Sequence, residues 1–140
     1  MKFRPRVVAS CLAWLALAAQ PSALASEVED AAVKAAFHWL ALVDSGQTAE
    51  SWRQAASLFR SAVSQEQWES SVTAARRPFG KLLSRQVRSA QYMTSLPGAP
   101  DGRYVVILYD AVYEHKKAAV ETVTPMYDGD AWRVSGYFIR

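Results

Sequence analysis

Arg103-Tyr-Val-Val-Ile-Leu-Tyr-Asp-Ala-Val-Tyr113, Lys117-Ala-Ala-Val-Glu-Thr-Val-Thr-Pro-Met126 and Ala131-Trp-Arg-Val-Ser-Gly-Tyr-Phe-Ile-Arg140 form the stretch that decides the fold. Each run is rich in β-branched and aromatic residues, which suit a pleated, half-buried surface. The polar breaks between them, Glu114-His115-Lys116 and Tyr127-Asp128-Gly129-Asp130, are short enough for hairpin turns. The pattern predicts an antiparallel meander. Just upstream, over 81–96, an alternation of apolar and polar residues switches parity between Val87 and Tyr92, which predicts one more strand with a bulge. Leu96-Pro-Gly-Ala-Pro-Asp-Gly102 connects it to the meander as a turn-rich loop.

Before residue 81 the period becomes helical. A first helix is expected over 27–45, capped by Ser26, with Glu27, Glu29 and Asp30 in its first turn, where negative charge suits the helix dipole. At about 100° per residue, Ala32, Val33, Ala36, Phe37, Leu40 and Val43 share a face, with Lys34 and His38 opposite and Gly46 as the stop. A second helix is expected from Thr48 as N-cap, with Glu50 in its first turn and a stripe of Trp52, Ala55, Ala56 and Phe59. A third begins at Ser64, where Ser64-Gln-Glu-Gln67 fits a capping box and Val63 with Trp68 a hydrophobic staple. Its inward stripe is Trp68, Val72, Ala75 and Phe79, and Pro78 and Gly80 end it. Trp39, Trp52, Trp68 and Trp132 stand at core spacings. The whole is an α+β two-layer domain, N-terminal helices packed on a four-stranded antiparallel sheet.

The N-terminus carries an address. Lys2, Arg4 and Arg6 precede an apolar run from Val7 to Ala19, Gln20-Pro21-Ser22 breaks it, and Ala23-Leu24-Ala25 presents small residues at the cleavage positions. That order predicts a secretory signal peptide over 1–25, cut between Ala25 and Ser26, and a single domain over 26–140. The apolar run is too short to span a bilayer, which takes about 20 residues, so no transmembrane anchor is expected in the mature chain. Cys11 lies inside the run rather than at its end, which argues against a lipidated cysteine. The chain holds 16 Lys and Arg against 13 Asp and Glu. Losing Lys2, Arg4 and Arg6 brings the two into balance, so no electrostatic case for nucleic acid survives. Cys11, the sole cysteine, leaves with the leader, and no disulfide is expected. The expected location is the periplasm or the medium.

Several local patterns together resemble a known family. They are Trp39-Leu-Ala-Leu-Val-Asp-Ser-Gly46, Ser51-Trp52, the 96–102 loop running into Tyr104-Val-Val106, Ala119-Val-Glu-Thr122 and the ending Trp132-Arg-Val-Ser-Gly-Tyr-Phe-Ile139. The resemblance is to small exported bacterial proteins catalogued as domain of unknown function 4019, and it covers nearly all of the mature chain. It carries no activity over. Helices ahead of a curved meander that ends in a Trp-x-Val strand also look like the cystatin-like and NTF2-like folds, a likeness of architecture alone.

Little chemistry is written into the remaining residues. His38 and His115 lack the further ligands a zinc site needs, no Gly-x-Ser-x-Gly elbow or glycine-rich phosphate loop occurs, and no metal or cofactor is expected. Gly136 interrupts the last strand and suggests a bulge or a close helix contact. The basic segment Arg76, Arg77, Lys81, Arg85 and Arg88 lacks aromatics for base stacking; it reads as a solvated face ahead of a contact with an acidic partner or lipid headgroups.

The meander holds the one arrangement with chemical content. Tyr104, Val106, Leu108, Asp110 and Val112 share one face of its first strand; Val105, Ile107, Tyr109, Ala111 and Tyr113 share the other, so both faces should be at least partly covered. Asp110, with Glu121 and Arg133 on neighbouring strands, makes a candidate pocket together with Tyr109 and Tyr113. An acid there with no basic partner could serve as a general base. The favoured reading is plainer: Asp110 or Glu121 pairs with Arg133, or is exposed to solvent near a sheet edge. The leading expectation is a non-enzymatic envelope module that binds a partner protein or a small ligand. The alternative is a small hydrolase, isomerase or lyase with an acidic base in a helix–sheet pocket. A homodimer through the sheet is a further expectation, from the apolar last strand.

Overall fold

Two-residue reversals at Glu114-His115 and Gly129-Asp130 turn the meander back on itself more tightly than the polar breaks imply. The strands are correspondingly longer: β1 Leu82–Met93, β2 Tyr104–Tyr113, β3 Lys116–Asp128 and β4 Ala131–Ile139. They pair in the order β1-β2-β3-β4, antiparallel throughout. The computed structural model describes residues 22–140. Residues 1–21, which hold most of the expected leader, lie outside them.

The parity switch in β1 is a bulge at Arg88: Val87 faces Tyr109 while Ser89 faces Leu108. A second irregularity stands at Leu83. On β4 the bulge is at Ser135, beside Gly136 and opposite Pro125, which has no N–H to give to the ladder. Ser135 instead donates its hydroxyl to the Thr124 carbonyl at 2.7 Å.

The helices depart from expectation in three places. Helix α1 spans Ser22–Asp44, so Ser26 lies within it and is no cap. Its buried stripe is Ala32, Ala36, Trp39, Leu40 and Val43, while Phe37 is 63% exposed. The stripe centres on Ala36, Val43 and Trp39, and Phe37 stands more than 90° around the helix from that centre. The second helix of the sequence reading is two helices, α2 Thr48–Gln54 and α3 Ser57–Ala62, and α2 is preceded by Gln47 rather than capped by Thr48. Ala55 and Ala56 between them are extended and fully buried, and the Ala56 N–H donates to the Val134 carbonyl of β4 at 2.8 Å. Tertiary pairing here wins over local helix preference. Helix α4, Gln65–Arg76, starts with the expected capping box: Ser64 accepts from the Gln67 N–H, and Gln67 reaches back to the Ser64 N–H. Trp68 and Val72 are buried along it, but Ala75 is exposed.

A single 3-10 turn, Arg77–Phe79, follows, and Gly80 closes it at φ 75°. A Cβ at Gly80 would come within 2.9 Å of the His115 ring and 3.1 Å of Glu114 Cβ. Glycine therefore lets the start of β1 lie against the β2–β3 hairpin, where Glu114 and His115 donate N–H groups to the carbonyls of Lys81 and Phe79.

Helices and sheet enclose one main core. Trp68 meets Phe59 edge-on at 5.1 Å between ring centres, Trp39 at 5.5 Å and Tyr137 at 5.9 Å. Both indole N–H groups end on Ser51, Trp39 on its carbonyl at 2.8 Å and Trp68 on its hydroxyl at 2.9 Å. Val105, Ile107, Tyr109, Val123 and Val134 complete the core from the sheet's inner face. On the outer face Val106, Leu108 and Val112 are half-buried and Asp110 is exposed, so cover there is partial.

Candidate functional site

Three of the five candidate pocket residues meet on the inner face. Glu121 of β3 stands opposite Tyr109 of β2, and Tyr113 lies farther along the same face. Asp110 and Arg133 point the other way, as strand alternation requires. Asp110 pairs with Arg88, the bulge residue, with both side chains about half exposed. Arg133 reaches Asp130 of its own hairpin at 3.3 Å. The expected partnership of Arg133 with Asp110 or Glu121 is therefore not made.

Arg85, opposite Ala111 on β1, takes its place. Its Nε and Nη2 donate to the two oxygens of Glu121 at 2.8 and 3.1 Å, a bidentate pair in which the Glu121 side chain is fully buried. The same guanidinium donates to both oxygens of Asp44, the last residue of α1, at 2.7 and 3.0 Å. Arg76 of α4 donates to Asp44 at 2.6 Å, and the Tyr137 hydroxyl donates to Glu121 at 2.6 Å. The result is a layer of two arginines, two acids and Tyr137 that links α1, α4, β1, β3 and β4.

The layer fixes its own protonation. Burial works against the Asp44 carboxylate, but hydrogen bonds and charge from Arg85 and Arg76 outweigh it and hold the group below its ordinary value. Burial likewise opposes the charge of Arg85, and the two carboxylates more than offset it. Burial, then the Glu121 charge and the hydrogen bond to it, pushes the Tyr137 hydroxyl well up. Tyr109 is pushed up to about 12, chiefly by burial. Tyr113 is also raised, by burial and then by Glu121. Tyr109 buries its hydroxyl with no hydrogen-bond partner, whereas the buried Tyr113 hydroxyl lies near enough to Glu121 for the acid to act on it. Asp110 and Glu121 each hold an arginine, so neither has the unpaired setting that the general-base reading required.

Beside this layer a crevice of about 760 Å³ opens between the end of α1, α4 and the start of β1. Val43, Val72 and Leu82 give it apolar surface; Asp44 and Arg76 bring the charge layer to its wall, and Arg77, Lys81 and Glu114 also line it. None of these was foreseen as a site residue. Arg85 and Arg76 belonged to a segment expected to be solvated, and the two irregularities in β1 hide which of its residues face inward.

The fold defines a class, a small α+β domain with helices laid on a four-stranded antiparallel sheet. The chain belongs to the family described as Protein of unknown function (DUF4019), whose pattern it matches over residues 35–137. That span contains every member of the charge layer. No curated protein and no solved structure matches the chain. Among the described residues no helix is long and apolar enough to cross a membrane.

Proposed function

We propose that this protein is exported to the periplasm or the medium and acts there as a non-enzymatic binding module, with the crevice between α1, α4 and β1 as its ligand site. The crevice itself carries the reading: about 760 Å³ lies within the usual range for small-molecule pockets, and its lining mixes apolar surface with a few charged groups. The cationic, apolar and small-residue order of residues 1–25 supports export. The pairing of Asp110 with Arg88 and of Glu121 with Arg85 supports a binding role over acid–base chemistry. Helices ahead of a four-stranded antiparallel meander support a likeness to the cystatin-like and NTF2-like folds.

The test has two arms. Protein recovered from the envelope or the medium is expected to have the mass of residues 26–140. Its melting temperature is expected to rise with at least one compound in a panel of small organic acids, amines and alcohols. If no compound stabilises it and crosslinking in envelope fractions captures no partner, the binding reading is wrong.

A further inference from the structure

We propose that the crevice takes a small amphiphilic carboxylate, an apolar body whose acid group is clasped by the free edge of Arg76. This names the ligand chemistry of the binding site above and rests on that reading.

The two arginines of the charge layer are used very differently. Arg85 spends Nε, Nη1 and Nη2 in four hydrogen bonds to Glu121 and Asp44, using four of its five N–H donors. Arg76 carries the same five N–H donors. Among the described residues it makes one hydrogen bond, from Nη2 to Asp44. Its side chain is nevertheless only 14% exposed and lines the crevice. A guanidinium so placed is largely shielded yet keeps N–H groups free at the crevice wall, which is a setting for a bidentate oxyanion. Asp44 holds one end of the group and orients the rest.

Tyr113 backs the clasp. Its ring is fully buried, and Arg76 lies over it at 5.4 Å. Leu82, another crevice residue, is its partner across the β1–β2 ladder. The buried ring backs the guanidinium and helps fix the direction of its free N–H groups.

The rest of the lining selects among anions. Arg77 and Lys81 make no ion pair among the described residues, so with Glu114 and the Asp44–Arg76 pair the crevice carries one net positive charge. Leu82, half-buried, and the edges of the core residues Val43 and Val72 offer apolar surface that a bare inorganic anion leaves uncovered. An aliphatic carboxylate satisfies both halves.

Isothermal titration of the purified protein with octanoate, 1-octanol and inorganic phosphate tests this. One-site octanoate binding is expected, with 1-octanol weaker by about tenfold or more and phosphate weaker still. Arg76→Gln is expected to weaken octanoate by about tenfold or more while leaving the weak 1-octanol binding in place. Because Arg76 touches the charge layer, the exposed double variant Arg77→Gln/Lys81→Gln serves as a second probe. It is expected to weaken octanoate and flatten the salt dependence of its affinity without lowering the melting temperature. Equal binding of 1-octanol, equal binding of phosphate, or octanoate affinity indifferent to Arg76→Gln overturns the proposal. Stabilisation by amines or alcohols with no octanoate binding overturns it too, and leaves the binding-module reading standing.

Discussion

Arg85→Met is expected to destabilise the domain by about 3–5 kcal/mol, because it strands a buried carboxylate. Glu121 is fully buried and receives two of its three hydrogen bonds from Arg85. Without them the carboxylate keeps only the Tyr137 hydroxyl, and burying a charge so poorly matched is costly. Asp44 suffers less, since Arg76 still holds it and its side chain is 23% exposed. The double variant Arg85→Met/Glu121→Gln removes the stranded charge and keeps an acceptor for Tyr137. It is therefore expected to recover a large part of the loss. Urea midpoints of the two variants measure this. A single variant as stable as the parent would mean that Glu121 does not depend on Arg85.

Trp68→Ala is expected to cost about 3–5 kcal/mol, the range for removing a large buried aromatic. Trp68 ties α4 to the rest of the domain, since its ring meets those of Trp39, Phe59 and Tyr137 and its indole N–H is bound by Ser51. Truncation opens a cavity and leaves the buried Ser51 hydroxyl without its donor. Phe37→Ala is the control. Phe37 was expected in the core on helical spacing, yet it is 63% exposed, and its loss is expected to stay within about 0.5 kcal/mol. Thermal melts of the two variants separate these expectations by many degrees.

The contrast between Trp68 and Phe37 shows where the sequence was legible. Strand pattern, the β1 bulge and the Ser64 capping box could be read because each depends on neighbours in the chain. The split between α2 and α3 could not, because it is made by the Ala56 N–H reaching β4, almost eighty residues away in sequence. The site divided in the same way. Glu121, Tyr109 and Tyr113 followed from alternation along regular strands. Arg85 was hidden by irregularities on either side of it, and Asp44 and Arg76 sit at helix ends where periodicity is weakest. Arg133 was the natural guess for the acids' partner, but it faces away with Met126.

We propose that the charge layer is scaffold except at the Arg76 edge, which opens on the crevice where ligand binds. An amide NMR titration of the purified protein with octanoate tests it most directly. The shifts are expected to concentrate at Val43, Gly46, Thr73, Gly80 and Lys81, around the crevice. Shifts centred instead on Val106, Leu108 and Phe138 of the outer sheet face would contradict the account.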